Sequence, residues 1–375
     1  MSPTHTLVTG GAGFVGSHLV DALLEQGHEV TVLDNLDPQA HEDGAPRFLN
    51  GGARLVTGDL RDRHAVADAL EGAEVVFHQA GMVGNGQSMY ELARYIDVNA
   101  TGTAVLLEEV LRRRDTVRRV VAASSMVVYG DGAYRCEEHG PVAALPRRPS
   151  DLDARCWEPR CPRCHEFVSP VPTAEDFGLR PTSPYGIGKA ACEQLVLVTG
   201  DAHGVECVAL RYLNVYGPRQ ALGNPYTGVA AIFCTRLLSG RPPLIFEDGE
   251  QQRDLIHVDD VVRANLLAMS AEAAVGRAIN VGTGTSITVD LLANILAAAI
   301  APDITPEISQ RWRSGDIRHC WADTTRAREL LGFVAQTDRA TALAELARWV
   351  ATQRPIDRTE QAIAELTARG LIRGC

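Results

Sequence analysis

The sequence predicts a doubly wound α/β fold built on a parallel sheet, and three observations carry that expectation. Strand and helix patterns alternate from residue 5 to about 128. A glycine-rich turn, Thr9–Gly16, joins the first strand to the first helix. The second strand ends in a carboxylate, Asp34, 18 residues past Gly16. Strands separated by helices must pair in parallel, and helices then cover both faces of the sheet.

The elements follow in order. Thr6–Val8 is a short apolar strand, and Ser17–Leu24 an amphipathic helix. Val30–Leu33 is the second strand. Arg54–Gly58 is the third, ending at Asp59-Leu60. Glu74–His78 is the fourth, followed by Gln79-Ala80-Gly81. Asp97-Val98-Asn99 precedes a helix through Leu111, with apolar positions at Val105, Leu106, Val110 and Leu111. Val120–Ala123 then leads into Ser124–Gly130. Residues 131–180 break the pattern: they are rich in Pro, Arg and Cys and show neither period. Order returns with a helix from Tyr185 through Val198 and a strand, Cys207–Tyr212, running to Asn214. Short strands, Pro-containing loops and helices follow, and the tail after Thr337 reads as two helices broken at Pro355. The expected division is a dinucleotide-binding domain over 1–212, rejoined by 254–282 and carrying the 131–180 insert. A smaller mixed α/β substrate domain takes 213–253 and 283–345, and 346–375 is a helical tail.

Composition narrows the function. At 375 residues with net charge −11, and with no basic cluster beyond Arg112–Arg114, the chain lacks a nucleic-acid footprint. No apolar run of about 18 residues occurs, so no membrane span is expected. Residues 1–8 lead straight into the first strand without a signal peptide, which predicts a cytoplasmic protein. Nine cysteines then point to reduced thiols or a metal. Of 36 basic residues only Lys189 is a lysine, so an amine is kept there for a reason a guanidinium does not serve.

Three constellations carry chemistry. In the first, Gly10, Gly13, Phe14, Val15 and Gly16 let the backbone approach a pyrophosphate at a helix N-terminus. Asp34 at the next strand end accepts hydrogen bonds from a ribose and repels a 2′-phosphate, favouring NAD over NADP. Asn35, Asp59, Leu60, Gln79, Ala80 and Asn99 fall on the carboxyl edge where such a dinucleotide lies. In the second, Tyr185 and Lys189 share one helix face four residues apart. A phenol with ordinary pKa near 10 works as a base near neutrality only beside a cation. The third is the pair Cys136-x-x-His139 and Cys161-x-x-Cys164 within the insert, which matches a tetrahedral structural zinc site. Cys156 and His165 are competing ligands. A redox role for Cys161 and Cys164 is disfavoured, because no helix starts after Cys161. Cys192, Cys207, Cys234 and Cys320 lie in apolar stretches and are expected in the core.

The glycine turn, Asp34, Asp59-Leu60, Ser124-Ser125…Val128-Tyr129-Gly130 and Tyr185…Lys189 resemble the extended short-chain dehydrogenase/reductase family, with its Rossmann sheet. More narrowly, the chain is similar to the NAD-dependent nucleotide-sugar epimerases and dehydratases. Arg211–Pro218, Gln252–Asp260 and Arg313–Asp316 add to that likeness. The resemblance implies that Tyr185 takes the proton of a sugar hydroxyl while NAD removes the hydride. Lys189 would lower the phenol's pKa and hold the nicotinamide ribose, and Ser125 would bind the same hydroxyl. Asn214, Arg253, Arg313 and Asp316 would grip the nucleotide diphosphate, of UDP or dTDP. The resemblance also implies a homodimer formed by the helix before Arg112 (Val105, Leu106, Val110) and the helix after Tyr185 (Leu195, Val196, Val198). Dehydratases and decarboxylases of the group carry acids where this chain has Met126 and Val127. The expected reaction is therefore 4-epimerisation of a nucleotide-linked hexose. A reductase or dehydratase on the same scaffold, or a non-catalytic NAD-binding protein, are the alternatives.

Overall fold

The computed structural model describes residues 3–41, 44–226, 228–353 and 356–374. Seven strands form the main sheet: β1 (His5–Thr9), β2 (Glu29–Asp34), β3 (Arg54–Thr57), β4 (Val75–His78), β5 (Arg119–Ser125), β6 (Glu206–Tyr212) and β7 (Arg277–Val281). Their order is β7-β6-β5-β4-β1-β2-β3, and every neighbouring pair is parallel. The strand order reverses between β1 and β4, which opens a crevice at their carboxyl ends. Successive side chains go to opposite faces. Leu7 and Val76 enter one core and Val8 and Phe77 the other, so both faces are buried.

Helix α1 (Phe14–Glu25) packs on one face through Leu19, Val20 and Leu23, together with α5 (Val258–Ala268) through Val261 and Val262. On the other face lie α2 (Arg63–Ala69), α3 (Leu92–Leu111) and α4 (Pro184–His203). Helix α3 starts earlier than the sequence pattern suggests, and a single π-helical turn, Asp97–Thr101, interrupts it. That wider turn is where Asn99 sits, and such bulges recur at functional sites. Helix α4 has complete end signals. The Ser183 side chain accepts from Gly186 N (3.1 Å), Pro184 occupies the first turn, and Gly204 closes the end in the left-handed region.

The second lobe has its own core, in which Phe233, Leu237, Leu292, Leu296, Leu343 and Leu346 pack three helices together. The insert is more regular than its sequence suggests. Gly140–Val142, Ala133–Cys136 and Ser169–Val171 make a small antiparallel sheet over a core of Tyr134, Cys136, Cys161 and Val168. Strands of three or four residues are too short to show a period. The tail is likewise not purely helical. Helices Arg339–Ala351 and Thr359–Ala368 precede a strand, Ile372–Arg373, that pairs antiparallel with Trp312–Arg313. The expected break at Pro355 lies outside the described residues.

The apolar residues expected at a subunit contact divide in two. Leu106, Val110 and Val196 are fully buried within the chain, since they fill the core beneath the sheet. Val105 and Leu195 are only partly buried, and Val198 is 67% exposed. Cys192, Cys207, Cys234 and Cys320 are buried as expected, and the eight described cysteines are all free thiols. No helix among the described residues is long and apolar enough to cross a membrane.

Candidate active site

A cavity of about 700 Å³ opens at the carboxyl edge of the sheet and runs between it and the second lobe. The glycine turn forms one wall. Gly10 has φ +68°, and a Cβ there would lie 2.7 Å from the Ala80 backbone. A Cβ on Gly16 would lie 2.1 Å from the Gly10 carbonyl oxygen, so the turn closes only with glycine at both places. Helix α1 begins without a side-chain cap at Gly13, and Phe14, Val15 and Gly16 line the cavity. Its first-turn N–H groups are the sort a diphosphate accepts from.

Asp34 is buried at the end of β2, accepting from Ala12 N (3.1 Å) and Leu36 N (2.9 Å). Asn35 donates to Asp59 (3.2 Å). Arg61 grips both oxygens of Asp59 at 2.8 Å and holds its carboxyl down to about 2. Leu60 lies beside them. Gln79 is fixed from both ends: its amide donates to Asn265 (3.1 Å) and its carbonyl accepts from the Tyr212 hydroxyl (3.0 Å). Ala80 N donates to Thr9 Oγ1 (3.3 Å). Asn99 clamps the loop after β4, accepting from Met82 N (2.8 Å) and donating to Met82 O (3.0 Å).

At the centre of the cavity, Ser125 ends β5 and accepts from Val127 N (3.4 Å), capping the short turn Met126–Tyr129. Tyr185 and Lys189 approach from α4. Burial pushes the Tyr185 phenol up to about 12, and its hydrogen bond with Ser125 pulls the other way. The Lys189 ammonium, 5% exposed, donates to the Ala123 carbonyl oxygen (2.9 Å) and is lowered by burial. Ser125 thus lies within hydrogen-bond reach of the phenol, and the lysine one turn along the helix is anchored at the end of β5. Beneath them His78 bridges Thr9 (2.8 Å) and Thr103 (2.9 Å). Burial, and then Lys189, lower His78 to about 3, so the ring is neutral and the lysine carries the charge. Tyr95 meets Tyr185 edge-on at 6.2 Å.

Met126 and Val127 line the cavity as apolar groups. Its carboxylates, among the described residues, are Asp34, Asp37, Asp59 and Asp316, and each already has partners. Asp34 holds two backbone N–H groups, and Asp37 takes Arg94 and Gln39 N. Asp59 and Asp316 are held by Arg61 and Arg313.

The far end gathers the four remaining predicted residues. Arg313 donates to Asp316 Oδ2 at 3.0 and 2.7 Å, with its guanidinium 4.5 Å above the Phe246 ring. Arg253 lies 4.0 Å from the same carboxylate and donates to the carbonyls of Gln252, Arg318 and Ile317. Asn214 Oδ1 is buried with no partner among the described residues, which suits a group that a ligand completes. Sequence reasoning missed the tail: Ile363, Leu366 and Ile372 line the same cavity. Their apolar spacing reads as any packed helix, so no signal marked them.

A second cluster lies in the insert. The ligand atoms of Cys136, His139, Cys161 and Cys164 all fall within 4.8 Å of one another. Cys136 Sγ is 3.6 Å from both His139 Nδ1 and Cys164 Sγ, and Cys161 Sγ is 3.6 Å from His139 Nδ1. A tetrahedron with bonds of about 2.3 Å to sulfur and 2.0–2.1 Å to nitrogen has edges of about 3.6–3.8 Å, so the spacing fits zinc. Burial opposes ionisation of Cys161, yet the N–H groups of Cys164 and Arg163 draw its thiol down to about 6. Cys156 and His165 stay outside the cluster.

A parallel sheet with a glycine turn, and a Ser, Tyr and Lys set at its carboxyl edge, defines a short-chain dehydrogenase/reductase fold. Within it the chain belongs to the NAD dependent epimerase/dehydratase family, whose model matches residues 6–149 and 162–282. A dTDP-L-rhamnose 4-epimerase of Burkholderia thailandensis is 32% identical, covering 92% of this chain and 95% of its own length. A UDP-glucose 4-epimerase of Mycolicibacterium smegmatis is 35% identical over 91% and 96%. A dTDP-glucose 4,6-dehydratase of Streptomyces niveus is 31% identical over 92% and 91%. Among solved structures, Thermotoga maritima UDP-glucose 4-epimerase with UDP-glucose is 33% identical, with TM-score 0.75 over 92% of this chain and 98% of that one. Thermus thermophilus UDP-glucose 4-epimerase with NAD is 29% identical, with TM-score 0.73 over 93% and 100%.

Proposed function

We propose that the chain is an NAD-dependent 4-epimerase of a nucleotide-linked hexose, carried on UDP or dTDP. One observation carries the choice of reaction: Ser125, Tyr185 and Lys189 meet in a cavity whose neighbouring loop, Met126-Val127, holds no acid, and whose carboxylates are all engaged. NAD, held on the glycine turn and Asp34, supplies hydride acceptance and return when bound. Tyr185 takes the proton of the C4 hydroxyl and gives it back after the 4-keto sugar turns over. Ser125 bonds the same hydroxyl and favours the phenolate. Lys189 lowers the phenol's pKa by its charge and holds the nicotinamide ribose. Asn214, Arg253, Arg313 and Asp316 hold the nucleotide end, with Arg313 the exposed fork for a phosphate oxygen. Elimination of water needs a general acid and a base at the sugar, which this loop does not provide.

Assaying UDP- and dTDP-hexoses for C4 inversion tests the reading. Tyr185→Phe should cut kcat by about 10²–10⁴-fold while bound NAD is retained. Ser125→Ala removes a bond that lowers the phenol's pKa, so the acidic limb of the kcat profile should move to higher pH. An unmoved limb, or full turnover by Tyr185→Phe, contradicts the assignment.

The cluster in the insert is a structural zinc site, closed by four protein ligands with no open position. Elemental analysis should find about one zinc per chain, and Cys161→Ser should release it. A metal-free, fully ordered insert contradicts this.

The proposed homodimer uses the exposed stripe of α4, Ile187 and Val198, beside partly buried Leu195 and Val105. Light scattering should give twice the chain mass, falling toward the monomer with Val198→Arg. A monomeric parent protein removes the proposal.

A further inference from the structure

We propose that the zinc-closed insert acts on the substrate end of the cavity: it clasps the segment 312–319 from behind, with Arg147 and Trp157 as positioning residues for Arg313 and Asp316. The part about substrate rests on the function proposed above; the clasp itself does not.

The residues between the two halves of the ligand set make the contacts. Arg147 is buried, donates to the main-chain oxygen of Asp316 (2.8 Å) and pairs with Glu247 (2.7 Å). Asp153 accepts from the Trp312 indole (2.9 Å). Trp157 and Leu152 enclose the Trp312 ring in a small cluster of their own. Glu158 accepts from Arg318 at 2.6 and 2.9 Å and bonds His319 at 2.9 Å. Glu247 also takes Arg318 (3.0 Å), so one buried carboxylate ties both arginines together. Trp312, Arg318 and His319, which take most of these contacts, do not line the cavity, while Arg313 and Asp316 between them do.

The clasp has little internal support. Between the sheet strand Gly140–Val142 and Cys161 the segment has one short helix, Pro149–Asp153, and a few further backbone bonds, among them Leu145 N to Arg160 O (2.9 Å) and Cys156 N to Asp151 O (2.8 Å). Apart from Leu152 and Trp157, its own residues add little to a core. Drawing Cys136 and His139 onto Cys161 and Cys164 closes this loop at its base, and metal binding then supplies the order that apolar burial does not. The family model skips residues 150–161, the stretch that holds Asp153, Trp157 and Glu158. Asp153, Trp157 and Glu158 thus lie outside the part of the chain that the family model describes, and they meet the segment that also pairs with the C-terminal strand Ile372–Arg373.

Arg147 and Trp157 touch neither cofactor site nor the reacting centre, so their loss should act on binding alone. In the NAD-loaded protein, Cys161→Ser, or zinc removal by a chelator, should accelerate hydrogen exchange across 312–319 and leave exchange in β1 and α1 unchanged. UDP and dTDP, used as probes, should bind about tenfold more weakly, and substrate KM should rise by a similar factor with kcat within about twofold. Trp157→Ala and Arg147→Gln should reproduce the KM rise with zinc still bound. Unchanged exchange in 312–319 after zinc loss overturns the clasp. So does loss of NAD together with zinc, because the metal would then hold up the whole chain. Faster exchange in a parent protein that binds neither probe keeps the clasp and overturns the substrate reading instead.

Discussion

A lysine ammonium, almost wholly buried at the carboxyl edge of a parallel sheet, is the constraint around which the catalytic end is arranged. A buried cation needs a fixed acceptor, and Lys189 has one in the Ala123 carbonyl at the end of β5. To reach it, α4 must begin at Ser183-Pro184 and run tight against α3, whose π turn sets Asn99 beside it. Burial, reinforced by the same charge, keeps His78 neutral. Tyr185, one turn before the lysine, is thereby delivered to Ser125. A guanidinium is planar and larger, and would not enter the slot between Gly81, Asn99 and Ala123. That accounts for the single lysine in a chain otherwise furnished with arginine.

Six of the sheet's seven strands were legible, most of them because they are buried on both faces and read as apolar runs between helices, whereas β7 was not separated from the short strands around it. The glycine turn was legible for a different reason, since Gly10 and Gly16 sit where backbone meets backbone and no side chain fits. The Tyr185–Lys189 spacing survives translation into structure because both lie in one regular helix. What failed to show in the sequence has a common cause. The insert's strands are three or four residues long, and the final strand, Ile372–Arg373, is two. The acceptor that anchors Lys189, the Ala123 carbonyl, also escaped, because four residues of helix fix a side chain's direction but not the carbonyl it meets.

Partner choice explains the dimer expectation too. Leu106, Val110 and Val196 have the apolar spacing of an interface helix, yet the same spacing serves the core beneath β4 and β5. Only exposure separates the two uses. At the far end of the cavity, Arg253 is distant in sequence from Arg313 and Asp316 and meets them because Gln252–Arg253 pairs beside His319–Cys320. The insert then braces that meeting from outside, a relation carried by Arg147, Trp157 and Glu158 that no local pattern announces.

In the reaction proposed for it, this cavity moves one hydride and one hydroxyl proton and no other. The most direct measurement is turnover of the accepted nucleotide sugar in heavy water, followed by NMR of the recovered sugar. The expected result is inversion at C4 with every carbon-bound hydrogen retained, since Tyr185 exchanges only a hydroxyl proton. Deuterium at C5 or C6, with a 4-keto-6-deoxy sugar accumulating, would contradict it and show that an acid from elsewhere replaces the ones absent at Met126 and Val127.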